Sequence, residues 1–312
     1  MLKILKNVEP EIRTYLGDAF CFSIIGDEAF RYGWIYDKYV DIEYTREDRH
    51  IKYWGYDYYD FVSNEGVFIK SFTQIPISIC EEMKVCSIIE EMINNNEYFV
   101  GFWNETIIHN YFTGTQLTAE FEHLCFIYGY DSSRKIFYSE GYVKDEKWQK
   151  FCLPYEIVVK ALLTFEGKEE IRFNGYQVIN NFKWNANNDA IIGKLKSFFG
   201  GANRNIEAEY QFFQDVSIYK TIHRQSVYCI YEHKKLMMRR INYLAEKGYI
   251  DITCKEIFDR YHKLVNSSKN LLLLSIKYQT DSSLICLEKI LKHANKMIDC
   301  EKKIMEDIID EL

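Results

Sequence analysis

Proline is scarce. The 312-residue chain holds three, Pro10, Pro76 and Pro154, so no Pro-rich linker separates its parts. Basic runs are missing too, and the formal net charge is -7, which argues against nucleic acid as a partner. The densest basic stretch, His233-Lys234-Lys235 with Arg239-Arg240, has helical spacing and reads as a solvated face. Long apolar runs are absent. Leu271–Ile276 is the most apolar short stretch and falls far below the ~18 residues of a membrane span, so no membrane partner is expected. The start, Met1-Leu2-Lys3-Ile4-Leu5-Lys6, lacks an apolar core and cleavage site, so no signal peptide is expected. Nine cysteines are present without a C-x-x-C or a zinc-type Cys/His cluster. They read as reduced core residues of a cytoplasmic protein, and no metal is expected.

What is present is a globular composition: 47% hydrophobic, 27% charged and 16% aromatic, with 25 Tyr and 21 Phe. The length suggests two domains, or one domain with a large appendage. Residues 18–32 read as a helix. Residues 33–62 are dense in Tyr, Trp and Asp without a clear period. A strand is expected over Gly66–Phe72. Ile79, Met83, Cys86, Ile89 and Ile93 recur at helical spacing through Asn95. Tyr98–Trp103 and Glu122–Tyr130 read as strands, Asp131-Ser132-Ser133-Arg134 as a turn, and Lys135–Tyr142 as the returning strand. Pro154 opens a helix. Residues 166–204 are rich in Asn and Gly, and from 205 onward four helices are expected. The expected division is a catalytic domain over 1–165, a connecting segment over 166–204 and an all-helical domain over 205–312.

Cys21 is the candidate nucleophile. With Asp18 as N-cap it falls in the first helical turn, where unpaired N–H groups and the helix dipole stabilise a thiolate. His123 opens a central strand 102 residues later, and a hairpin follows. A thiol, an imidazole and a carboxylate in that order suit nucleophilic catalysis. If the turn centres on Ser132-Ser133, His123 faces Tyr142 and its same-face diagonal neighbour is Glu140. A one-residue change of register puts Ser139 and Gly141 on that face instead. Asp18, Trp103, Glu122 and Tyr142 are the candidate substrate-binding residues.

The Cys21 helix start resembles that of papain-like enzymes of the bacteriocin-processing peptidase type. So do the strand Glu122-His123-Leu124-Cys125-Phe126-Ile127-Tyr128-Gly129-Tyr130-Asp131 and Ile136-Phe137-Tyr138-Ser139-Glu140. The likeness is closer to the butirosin-type acyltransferase branch, which pairs a papain-like N-terminal domain with a helical C-terminal part and includes the amide synthetase of clostridial polythioamide (closthioamide-type) assembly. The resemblance implies an α+β, papain-like cysteine-protease fold followed by helices. It implies an acyltransferase of nonribosomal antibiotic biosynthesis with catalytic Cys21, His123 and Glu140. Such an enzyme takes an acyl chain from the phosphopantetheine thioester of an acyl or peptidyl carrier protein and passes it to a small amine. It needs no cofactor of its own, since the carrier brings the phosphopantetheine. Tyr15 stands where the peptidases have an oxyanion-hole Gln, which moves the expectation from peptide cleavage to acyl transfer. A peptidase or thioesterase with the same triad, or a non-catalytic scaffold, are the alternatives.

Overall fold

A computed structural model describes residues 1–25, 29–54, 69–77, 82–119, 121–143, 148–164, 172–178, 187–199, 204–251 and 255–312. Its strands are β1 (Leu2–Ile4), β2 (Ile42–Thr45), β3 (His50–Tyr53), β4 (Ile69–Pro76), β5 (Tyr98–Asn104), β6 (Glu122–Asp131), β7 (Ile136–Tyr142), β8 (Trp148–Pro154) and β9 (Arg172–Val178). Its helices are α1 (Leu16–Ile25), α2 (Ala29–Lys38), α3 (Glu82–Asn94), α4 (Glu105–Thr113), α5 (Tyr155–Leu163), α6 (Asn188–Lys196), α7 (Asn205–Tyr219), α8 (Arg224–Glu246), α9 (Lys255–Asp281) and α10 (Leu284–Glu311). This is an α+β chain with a helical C-terminal part. Residues 55–68, 78–81, 165–171, 179–186 and 200–203 lie outside the described residues.

Two compact units emerge, and they interleave in sequence. Unit 1 is Met1–Glu28 with Asp57–Phe182; unit 2 is Ala29–Tyr56 with Lys183–Leu312. This differs from the expected division at 165 and 205. The aromatic-rich stretch 29–56 belongs with the helices, and β9 belongs with the N-terminal unit because it pairs with both β4 and β5.

Unit 1 is built on an antiparallel sheet in the order β4-β9-β5-β6-β7-β8, with β1 also on β6. The pleat sends alternate residues of β6 to opposite faces. On one face Phe20 of α1 stacks on Phe126 at 5.1 Å. On the other, Tyr155 of α5 stacks on Phe137 at 4.2 Å and Phe112 of α4 meets Phe151 at 5.4 Å. Helix α3 buries Val85, Ile89, Met92 and Ile93, a stripe at helical period, and the left-handed Asn96 follows its end. Helix α4 starts where Asn104 accepts from Thr106 N and stops at left-handed Gly114, whose N–H returns to Asn110 O.

Unit 2 surrounds a buried polar network. Lys234 of α8 is fully buried between Glu209 of α7 and Glu301 of α10, and Tyr261 of α9 donates to Glu301 at 2.9 Å. Arg240 of α8 donates to the carbonyls of Tyr36 (2.9 Å) and Tyr39 (2.8 Å), satisfying the end of α2. The reading of 233–240 as a solvated face is therefore corrected: His233, Lys234 and Arg240 are buried, while Arg239 faces water. Their partners come from segments distant in sequence, which local spacing does not reveal.

Candidate functional site

Cys21 is the sixth residue of α1 rather than part of its first turn. The helix begins at Leu16, two residues before Asp18, and Ala19 N already bonds Tyr15 O at 3.0 Å. By the helical pattern the Cys21 N–H is spent inside the helix, so it is no orphan donor for an oxyanion. Asp18 is a buried residue within the first turn rather than the N-cap. Cys21 is 1% exposed. Burial pushes its thiol well above the ordinary cysteine range, and the Asp18 carboxylate adds to the rise. A thiol there resists ionisation.

His123 pairs across β5 with Trp103. Its Nδ1 lies 4.0 Å from Glu105 Oε2, and its ring centroid is 5.3 Å from that of Phe121. Glu105 opens α4, two residues beyond Trp103, and its Oε2 accepts from Trp103 Nε1 at 2.6 Å. Burial pushes the Glu105 carboxyl up to about 7, with the Trp103 bond pulling the other way. Burial alone lowers the His123 imidazole. The His123 side chain keeps 34% of its surface exposed, so the pair reaches solvent.

Glu140 sits elsewhere. The hairpin pairs Asp131 with Ile136, Tyr130 with Phe137 and Gly129 with Tyr138, then shifts to Ile127 with Ser139. Asp131 Oδ1 accepts from Ser133 N (3.0 Å) and Arg134 N (3.2 Å), and Lys135 takes the left-handed conformation, so the reversal falls later than a turn on Ser132-Ser133. The shift then leaves Tyr128 as an extra residue, which changes the face of everything beyond it. Glu140 thus lies opposite Phe126, on the sheet face covered by α1, while His123 shares the other face with Cys125 and Ile127. Glu140 Oε2 accepts from Asn7 Nδ2 at 2.8 Å, and Lys150 is its cross-strand partner. Burial lifts its carboxyl to about 7, opposed by a Ser23 hydrogen bond and the Lys150 and Arg13 charges.

The expected triad is therefore not assembled. Among the described residues no hydrogen bond or ion pair joins Cys21, His123 and Glu140 to one another, and the carboxylate beside His123 is Glu105. The sequence did carry a signal for Glu105: an Asn-Glu-Thr cap directly after an apolar strand. Trp103 is buried and is the cross-strand partner of His123. Glu122 is exposed and pairs with Asn104. Tyr142 packs edge-on to Trp148 at 5.4 Å and donates to Arg13 O at 2.9 Å, away from His123.

Of the other cysteines, Cys125, Cys229 and Cys286 are buried, Cys86 is half-buried, and Cys152 and Cys300 are exposed, all as free thiols. Cys80 and Cys254 lie outside the described residues. Among those described, no cluster of three or more His, Cys, Asp or Glu could hold a metal ion, and no helix is long and apolar enough to cross a membrane. No family model matches the chain, and no curated protein matches it.

Proposed function

We propose that the chain is an amide-forming acyltransferase in which His123, oriented by Glu105, acts as the general base. The observation that carries the site is the His123 imidazole at 4.0 Å from the Glu105 carboxyl, at the solvent-reaching start of β6. Nδ1 faces the Glu105 carboxyl at a separation longer than a hydrogen bond, and in the proposed step Nε2 carries the lone pair. The lowered imidazole pKa keeps His123 neutral at physiological pH. The chemical class rests on the resemblance of residues 122–140 to the papain-like acyltransferases, whose donor is an acyl thioester on a carrier protein. In the proposed step the amine nitrogen attacks the thioester carbonyl and His123 takes its proton. The C–S bond then breaks, and the leaving thiolate receives that proton as a thiol. No acyl-enzyme on Cys21 is required.

A second reading keeps Cys21 as nucleophile in a papain-like domain. It is favoured by Cys21 lying in a helix that packs on the sheet through Phe20 and Phe126. One experiment separates the two. The protein is incubated with octanoyl-N-acetylcysteamine and a diamine, and products and intact mass are followed by mass spectrometry. The expected outcome is amide formation that falls about 100-fold or more in His123→Ala and about tenfold in Glu105→Gln. Cys21→Ala stays within twofold. In the native protein at pH 7 iodoacetamide labels Cys152 and Cys300 ahead of Cys21. An octanoyl adduct on Cys21, with loss of turnover in Cys21→Ala, overturns the direct route for the covalent one. Free acid in place of amide identifies a thioesterase, and no turnover identifies a scaffold.

A further inference from the structure

Helix α4 carries an appended loop whose shape is held by an unusual share of side-chain bonds. Asn110 Nδ2 donates to Leu117 O at 2.9 Å. Its Oδ1 accepts from Leu117 N at 3.0 Å and from Thr115 Oγ1 at 3.2 Å. Thr106 Oγ1 donates to Ala119 O, and Glu105 N donates to Phe121 O at 2.7 Å. The helix that supplies Glu105 thus also fixes residues 114–119 and Phe121. Yet this tightly held stretch presents its large apolar side chains to water: Leu117 is 53% exposed and Phe121 57%. Single exposed apolar side chains are ordinary on a protein surface, but these two sit on one segment tied to α4 by hydrogen bonds. Phe121 is continuous with the reactive group, since its ring lies 5.3 Å from the His123 ring.

We infer that Leu117 and Phe121 are specificity-determining residues that hold the apolar chain of the acyl donor, with Asn110 as the positioning residue that presents them. This rests on the His123–Glu105 reading for the identity of the bound group. An acyl chain laid along Phe121 brings its carbonyl to the imidazole edge, while the burial of both side chains supplies binding that grows with chain length. Short or polar acyl groups gain nothing from the loop.

The test compares octanoyl- and acetyl-N-acetylcysteamine in the native protein, Leu117→Ala, Phe121→Ala, Phe121→Leu and Asn110→Ala, with circular dichroism confirming the fold. For the octanoyl donor, Leu117→Ala and Phe121→Ala are expected to raise KM about tenfold with kcat within twofold. Phe121→Leu restores most of the loss, and Asn110→Ala raises KM similarly without touching the chain. For the acetyl donor all KM values stay within twofold. Equal effects on both donors, or none, overturn the inference. A binding measurement runs in parallel, using the octanoyl amide in which NH replaces the thioester sulfur. Its calorimetric Kd weakens about tenfold in Leu117→Ala and Phe121→Ala but not in His123→Ala. If turnover survives His123→Ala while this selectivity holds, the base assignment fails and the loop assignment stands. If the amide binds all variants alike, the loop assignment fails whatever the base.

Discussion

Glu140 shows what burial does to a carboxylate with no ion-pair partner among the described residues. It is 1% exposed, and its carboxyl is raised from about 4.5 to about 7, mainly by loss of solvent. The Ser23 hydrogen bond and the charges of Lys150 and Arg13 work against that rise, Glu9 works with it, and Asn7 donates to its Oε2. A raised acid binds a proton in the folded chain that the unfolded chain has released. Its contribution is therefore full below about pH 4.5 and lost as pH climbs through 7, at a cost of about 3 kcal/mol by pH 8. Glu140→Gln keeps an acceptor for Asn7 and removes the charge. Thermal melts are expected to show the variant about 5 °C more stable than the native chain at pH 8, with the gap closing by pH 4.5. A shift of the same size at both pH values would mean that packing, not ionisation, sets the difference. The same arithmetic explains why Cys21 makes a poor thiolate: its surroundings penalise charge and offer an acid rather than an imidazole.

Strand β6 shows how one element decides which residues meet. Gly129 is needed there because β1 crosses close by: a Cβ at 129 would lie 2.8 Å from Lys3 O and 3.0 Å from Ile4 Cα, both backbone atoms. Gly129→Ala must push β1 away from its register on Gly129, Tyr130 and Asp131. The expected cost is about 1–3 kcal/mol. By hydrogen exchange, Leu5 N, bonded to Tyr128 O at 2.7 Å, loses protection while the β6–β7 amides keep theirs. Undiminished protection at Leu5 would refute the close-approach account. The hairpin itself was legible, because Asp131-Ser132-Ser133-Arg134 is turn chemistry that a sequence displays. The extra residue at Tyr128 was not, since nothing in Phe126-Ile127-Tyr128-Gly129 distinguishes a bulge from a regular strand. That single residue transferred Glu140 to the far face and left Glu105 as the acid beside His123. The C-terminal helices were legible to within a few residues because each repeats its apolar period over 15 or more positions. The β2–β3 hairpin escaped because its alternation, Ile42 with Tyr44 and Ile51 with Tyr53, spans only four residues a side.

At the scale of the whole molecule, the chain's order and its units disagree, and the disagreement has a physical cause in unit 2. Its helices carry polar groups whose partners lie in 29–56. Arg240 is fully buried and donates to Tyr36 O and Tyr39 O; the His233 ring meets Val40 O at 2.8 Å. Asn205 Oδ1 accepts from Ile42 N at 3.1 Å, and Ser226 Oγ accepts from Ile51 N at 3.0 Å. Tyr39, Ile42 and Ile51 are themselves fully buried. Cutting at residue 205, as composition suggests, would leave a buried guanidinium and a histidine without acceptors and strip the apolar cover from the helices. Each orphaned polar group costs about 1–3 kcal/mol, and more for the charged one, against a total stability of only about 5–15 kcal/mol. The fragment 205–312 is therefore expected to keep much of its helical far-ultraviolet signal but lose near-ultraviolet structure and bind a hydrophobic dye, the marks of a molten state. A synthetic 29–56 peptide added in trans should return the near-ultraviolet signal and a cooperative melt. If 205–312 alone melts as cooperatively as the full chain, residues 29–56 are decoration on a self-sufficient bundle. If only the peptide restores cooperativity, the helical half takes its stability from a segment that precedes it by some 150 residues in sequence.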